Sequence, residues 1–291
     1  MAQLIMVEGL PGSGKSTTAH FLNDWLASRG LPVAYYPEGR ADHPVDFEQV
    51  AVLTTEVFIG LVGSFPSHGD DLIRAAEKAG DFWLVRYGQR RGWPRELRAG
   101  LAEHDAYDGS ISPELHRRVL RESWDSFGDK AAHGDEVYLF ECVLIQNPLC
   151  ALMARFDQPE EVIESHIREL GDAVVALNPA VVYLDPGDPA AALERAASER
   201  PAEWLESVIT YHCAQGYGLA HGLSGFDGYV EFMRRRREVE LAILPRLGVP
   251  ALRVEVGDGN WDAHRSEITG FLGRHLDEHL DGFHTAVPLG A

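Results

Sequence analysis

A chain of 291 residues, 45% of them hydrophobic, can bury a full core in one large domain or one domain with sizeable insertions. Its 26 basic and 45 acidic residues give a formal charge of -19, which argues against nucleic acid as a bulk partner, because duplex binding asks for a basic face. Mean hydropathy is -0.17, and no stretch approaches the roughly 18 consecutive apolar residues of a membrane span, so no membrane partner is expected.

The first predicted element is a buried strand, Leu4-Ile5-Met6-Val7. It leads into Gly9-Leu10-Pro11-Gly12-Ser13-Gly14-Lys15-Ser16-Thr17, which fits the phosphate-binding pattern G-x-x-x-x-G-K-[ST]. Glycines let the backbone curl until successive N–H groups converge on an anion, and the helix that follows adds its positive end. Lys15 then bridges terminal phosphates, and the Ser16 hydroxyl joins the shell of a magnesium ion. The motif in its strand–loop–helix setting predicts nucleoside-triphosphate binding. That helix is predicted over 14–28, with Phe21, Leu22, Trp25 and Leu26 on one face and Gly30 ending it. Pro32-Val33-Ala34-Tyr35-Tyr36 reads as the second strand of a parallel unit with a crossover helix.

From 37 to about 135 the sequence shows no sheet strand except Phe82-Trp83-Leu84-Val85, and helices are predicted near 47–63, 69–79, 95–104 and 113–132. Residues 43–135 are therefore expected to be a helical, acceptor-binding insertion. Most of its many arginines read as solvated helix faces; Arg86 and Arg90, beside the aromatic strand, are the candidates to hold an anionic group. Val137-Tyr138-Leu139-Phe140 is the third strand and delivers Glu141 at its carboxyl end, where a carboxylate reaches the magnesium ion directly or through water. Gln146 and Asn147 follow as candidate acceptor contacts. Ala180 to Leu184 is the fourth strand, Ala251 to Val256 the fifth, with a helix over 228–247 between them. Within that helix Arg234-Arg235-Arg236-Arg237 reads as a solvated side balanced by Glu231, Glu238 and Glu240. His275 and His279 read as surface residues of a last helix. Five β/α repeats predict an α/β fold, a parallel five-stranded sheet with helices on both faces and its ligand crevice at the carboxyl ends of the strands. Residues 186–228 include an expected substrate-loop region, in which the glycine- and aromatic-rich run around Tyr217 is either a substrate-gripping loop or a flexible connection. The three cysteines, without C-x-x-C spacing, suit free thiols in a reducing compartment. The opening residues carry no basic or cleavable apolar segment, so a cytoplasmic location is expected.

The string Ile5-Met6-Val7-Glu8-Gly9 with Gly14-Lys15-Ser16-Thr17 resembles the start of deoxynucleoside kinases and thymidylate kinases of the P-loop kinase superfamily. Tyr36-Pro37-Glu38-Gly39 and Phe140-Glu141 are similar to two further stretches of those families. The resemblance implies the P-loop NTPase strand order 2-3-1-4-5, with Glu38 in the place of a glutamate that acts as general base. It also implies a lid after strand four, whose candidate arginines here are Arg195 and Arg200. The families carry an arginine after the acidic residue of strand three; Cys142 stands there in this chain, so the arginine's clamp on the acceptor is not carried over.

Glu38 is the first candidate to accept a proton from an acceptor hydroxyl, and Asp42 and His43 the next, to substitute for it or to orient the acceptor. No guanine-type N-K-x-D motif and no transporter-type S-G-G-Q signature is present. Two readings stay open. One is a kinase, using ATP and Mg2+, that moves the γ-phosphate to a hydroxyl or phosphate of a small molecule, nucleoside-like or a specialised metabolite. The other is a nucleotide-gated regulatory ATPase with no such acceptor. A homodimer is compatible with either.

Overall fold

The computed structural model describes residues 2–284, with side chains through 277. The strands are β1 (Gln3–Gly9), β2 (Val33–Tyr36), β3 (Val50–Leu53), β4 (Ala76–Ala79), β5 (Phe82–Arg86), β6 (Val137–Glu141), β7 (Pro179–Asp185) and β8 (Ala251–Glu255). The α-helices are α1 (Lys15–Ser28), α2 (Thr55–Ser64), α3 (Gly69–Ala75), α4 (Arg95–Ala102), α5 (Pro113–Ala131), α6 (Gln146–Leu149), α7 (Glu160–Ala173), α8 (Pro189–Glu199), α9 (Ala202–Cys213), α10 (Gly216–Ala220), α11 (Gly225–Ile243) and α12 (Trp261–His284). The chain divides into two compact units, residues 1–38 with 128–291, and residues 39–127. Among the described residues no helix is long and apolar enough to cross a membrane.

The first unit is built on a five-stranded sheet of order β2-β6-β1-β7-β8 in which every neighbouring pair is parallel. Numbered among themselves, these strands run 2-3-1-4-5, the order that the family resemblance implies. Every residue of β1 and β7 is buried, as central strands covered on both faces must be. One face is closed by α1 and α12, where Leu22, Leu26, Ile268 and Leu272 pack on Ile5, Val7, Val182 and Val254. Each such fully buried side chain contributes about 1.5–3 kcal/mol over leaving it in water. Register then sets the chemistry: Val7 lies opposite Glu141, and Gly9 opposite Leu184, so β1, β6 and β7 end at one level and release the phosphate loop, Glu141 and Asp185 along the same edge.

Residues 39–127 contain a second sheet, antiparallel, of order β3-β5-β4. Its core gathers Ala51, Leu53, Phe58, Val85, Trp93 and Leu97. Two helices expected here are corrected. Over 47–63, Val50–Leu53 is a fully buried strand, and helix starts only beyond Thr54, whose hydroxyl caps Val57 N at 3.3 Å. A run of Val-Ala-Val-Leu pairs as readily as it coils, and partners in β5 decide. Over 69–79, helix stops at Ala75 and Ala76–Ala79 turns back along β5 through Gly80, with Lys78 Nζ 4.8 Å over the Trp83 ring. Pairing with β5 overrides the helical preference of Ala-Glu-Lys-Ala.

Candidate functional site

At the end of β1 the backbone enters the left-handed region at Gly12 (φ +79) and Gly14 (φ +89). A Cβ would fall 2.5 Å from Ala192 O at Gly12 and 2.5 Å from Trp261 Cη2 at Gly14, so only glycine allows this curl where it lies. Gly14 is the N-cap of α1 and offers no side chain to it, which leaves the first-turn amides to an anion. Lys15 is buried, and its Nζ donates to Leu10 O at 3.0 Å, folding the ammonium over its own loop. Ser13 is also buried, and its Oγ meets no protein partner. Pro11 lines the adjoining cavity, and Ser16 and Thr17 are exposed on the first turn. The cradle and its lone ammonium fit a polyphosphate.

Glu141, fully buried at the tip of β6, accepts from Ser16 Oγ at 2.9 Å on one oxygen and from the Tyr35 hydroxyl on the other. Burial, and then this contact, raise the Tyr35 phenol well above its ordinary range, so it remains a donor. His20 Nδ1 lies 2.7 Å from Ser16 O and its ring meets Tyr35 edge-on. Hydroxyl and carboxylate oxygens side by side are a hard donor set, suited to magnesium that keeps waters and phosphate oxygens as its other ligands. Tyr35 and His20 were not singled out by sequence; their contacts join residues on different elements, and no local spacing announces them.

Glu8 is buried one residue before the loop and accepts from Leu144 N at 2.8 Å and Gln146 N at 3.0 Å. Burial pushes its carboxyl up to about 7, against those amide donors. Gln146 in turn donates its Nε2 to Glu38 Oε1 at 2.6 Å, and the Cys142 thiol donates to Glu38 Oε2 at 3.4 Å. Cys142, at φ +67, thus holds the candidate base where the resembling families carry an arginine. Burial raises the Cys142 thiol well above its ordinary value, so it stays protonated and donates.

Glu38, Gln146, Lys15 and Arg200 line one cavity of about 150 Å³, which Tyr229, Arg236 and His212 close. Arg200 is exposed and stacks 4.3 Å over Trp204; Arg195, also exposed, lies on α8 outside the cavity wall, its carbonyl accepting from Ser198 Oγ. Asn147 is half-buried beside Gln146, its N–H on Cys142 O, and does not line the cavity. Tyr217 stacks on His221 at 3.9 Å in a separate cavity with Arg235 and Glu160.

The remaining candidates lie in the unit 39–127. Asp42 is exposed and paired with Arg40 at 2.6 Å, which holds its carboxyl below the usual range. His43 is buried, its Nδ1 accepting from Val45 N and Asp46 N, and burial lowers it to about 3, so it stays neutral and shapes its own turn. Arg86, half-buried, reaches Ala41 O at 3.4 Å and lies over Phe47; Arg90 lies over Trp93.

The arginine run on α11 corrects the expectation of a solvated face. Arg234, Arg235 and Arg237 do meet carboxylates, Asp188, Glu160 and Asp185 respectively. Arg236, however, is 1% exposed and ion-paired at 2.7 Å to Glu240, itself buried and accepting from Tyr183 Oη at 2.6 Å. His275 is half-buried with Nε2 2.9 Å from Asn178 O, and the side chain of His279 lies outside the described residues.

No family model matches the chain, and no curated protein matches it in sequence. Among solved structures it is similar to a deoxyadenosine kinase from M. mycoides with bound dATP, at 12% identity over 93% of this chain and 100% of that one, with a TM-score of 0.42. It is also similar to a thymidylate kinase from Candida albicans, at 13% identity over 94% of this chain and 93% of that one, with a TM-score of 0.43. Likeness at that level carries no functional argument, so function has to be read from the loop, its lysine and the groups around them.

Proposed function

We propose that this protein is a phosphotransferase that uses ATP with Mg2+ and moves the γ-phosphate to a hydroxyl or phosphate of a small acceptor, nucleoside-like or a specialised metabolite. The observation that carries the reading is that Lys15 of the phosphate loop and the carboxylate of Glu38 line the same cavity. An acceptor held there lies between the cation that draws the terminal phosphate and a carboxylate that can take its proton. The hydroxyl oxygen attacks γ-phosphorus, the bond to the β-phosphate oxygen breaks, and the hydroxyl proton passes to Glu38. Gln146 and the Cys142 thiol hold Glu38 in place. Arg200, which lines the cavity from between α8 and α9, supplies a second cation on the exposed side. Ser16 and Glu141 would hold the magnesium ion, which when bound neutralises charge on the β- and γ-phosphates. Tyr35 keeps the far oxygen of Glu141 engaged, so its near oxygen stays aimed at Ser16.

The test has two arms. Lys15→Ala should abolish measurable MgATP binding in calorimetry with the full chain, and wild-type heats from that variant would refute the reading. Glu38→Gln should leave MgATP affinity unchanged and lower acceptor-dependent ADP formation about 100-fold or more, the scale of a general base. If MgATP binds but no nucleoside, nucleotide or amino alcohol stimulates turnover, the regulatory ATPase is the better description.

A further inference from the structure

Four buried polar atoms belonging to residues that line the Lys15 cavity meet no protein partner: Arg236 Nη2, Tyr229 Oη, His212 Nε2 and Gln146 Oε1. Their residues are 1%, 0%, 6% and 6% exposed, whereas Glu38 and Arg200 on the same cavity are exposed. Native proteins leave few such groups, and four around one cavity ask for a common occupant.

What each atom wants can be read from its neighbours. The Arg236 guanidinium only donates; Nε is taken by Glu240 at 2.7 Å and Nη1 by Cys150 Sγ at 3.3 Å, so Nη2 seeks an acceptor. His212 Nδ1 lies 2.7 Å from Val208 O, which can only accept, so Nδ1 carries the hydrogen. Burial lowers that imidazole to about 4, hence the ring is neutral and Nε2 offers a lone pair. Gln146 spends its Nε2 on Glu38, which leaves its Oε1 as a second acceptor. Tyr229 can serve either way. Charge narrows the choice further. Glu240 pairs with Arg236 at 2.7 Å, so that buried guanidinium keeps no surplus charge for a carboxylate. A volume of about 150 Å³ is that of an engineered cavity known to take benzene, enough for one six-membered ring. Met233 and Val208 supply its apolar wall.

We infer that the buried end of this cavity binds the acceptor by an uncharged, ring-sized head bearing a hydrogen-bond acceptor for Arg236 and an N–H or O–H donor for His212 and Gln146, a lactam being the simplest such group. The inference rests on the phosphotransfer reading of the same site, and adds to it which end of the acceptor is held and by what chemistry. Its reactive hydroxyl is then left toward Glu38 and Lys15.

Three probes of one ring size discriminate: 2-pyridone, a neutral lactam; benzoate, a carboxylate; and benzene. Titrated into the full chain by calorimetry or ligand-observed NMR, 2-pyridone should bind about tenfold or more tightly than the other two. Tyr229→Phe should weaken 2-pyridone about three- to tenfold, the worth of one hydrogen bond. The same variant should not lower the thermal midpoint, because that hydroxyl bonds nothing in the protein; a merely structural tyrosine would lose stability and leave the probe alone. His212→Phe, which removes the lone pair, should weaken the lactam likewise. Preference for benzoate or benzene, no binding of 2-pyridone, or an unchanged affinity in Tyr229→Phe would each overturn the assignment. MgATP titrated into the same wild-type preparation separates the two failures. Heat with MgATP but none with 2-pyridone removes this inference alone, while no heat with MgATP removes the phosphotransfer reading.

Discussion

Gly14→Ala probes the phosphate cradle, and Trp261 makes the probe specific. The substitution has two separable costs. Holding an L-residue at φ +89 costs about 1–2 kcal/mol. Forcing a carbon to 2.5 Å from Trp261 Cη2, in a ring packed on the core beside α1, costs about 1–3 kcal/mol more. The loop can escape both only by leaving the curl that receives phosphate, so the loss falls on nucleotide affinity: about 2–5 kcal/mol, or roughly 30- to several-thousand-fold in Kd. Trp261→Leu removes the ring but not the backbone strain, so the double variant should recover the second share alone. Calorimetry with MgATP on wild type, both single variants and the double gives a coupling energy, expected at about 1–3 kcal/mol. Gly12→Ala is the control, since its collision is with the main-chain oxygen of Ala192 and no side-chain change relieves it. Strict additivity of the Gly14 and Trp261 changes, or wild-type affinity in Gly14→Ala, would refute the cradle as described.

Glu8 should make stability pH-dependent in an unusual direction. Its carboxyl loses its proton near 4.5 when unfolded and near 7 when folded, so the folded chain binds more protons in that window and stability falls by about 3 kcal/mol as pH rises through it. Glu8→Gln should abolish that decline; chemical denaturation of both proteins at pH 5 and pH 8 measures it, and equal pH slopes would contradict the burial argument. Tyr35→Phe removes a donor to a buried carboxylate, a bond worth about 1.5–3 kcal/mol, and should raise the magnesium concentration for half-maximal turnover by about tenfold or more without changing metal-free nucleotide affinity. Arg200→Ala should reduce phosphate transfer at least about tenfold more than Arg195→Ala, since only Arg200 lines the cavity; equal effects in steady-state rates would remove the distinction.

The phosphate loop, its helix and the five strands of the parallel sheet were legible because each rests on local pattern, whereas their order 2-3-1-4-5 came only from the family resemblance. Partnerships across the fold were not. Val50–Leu53 and Ala76–Ala79 become strands because β5 lies between them, and neither segment carries that information. Tyr35 and Glu141 are 106 residues apart and meet only once β2 pairs with β6. Arg236 is different, because a signal existed. Tyr229, Met233, Arg236, Glu240 and Ile243 recur at steps of three and four, so the arginine and glutamate fall on the apolar stripe that the rest of the helix buries. Reading four consecutive arginines as one charged face hid the member that points inward. His43 lies near Glu38 in sequence, and the structure shows its Nδ1 accepting from two amides of its own turn, a local contact that sequence does not display.

Three glutamates mark the edge of the sheet, and their partners separate their work. Glu141 is held by two hydroxyls with one oxygen toward the loop, which suits a metal. Glu38 stands exposed on the cavity with an amide and a thiol beside it, which suits a base. Glu8 touches neither metal oxygens nor cavity. It accepts the amides of Leu144 and Gln146 and so fixes the segment whose side chain positions Glu38. Ionised, Glu8 offers both oxygens as acceptors; protonated, one of them becomes a donor facing an N–H. Because its carboxyl titrates near 7, the backbone that carries Gln146 is held most firmly above neutrality, where the same charge costs the fold most. Stability and the positioning of Glu38 therefore respond to pH in opposite directions, and a transfer rate that rises from pH 6 to 8 while the denaturation midpoint falls is the behaviour this geometry requires.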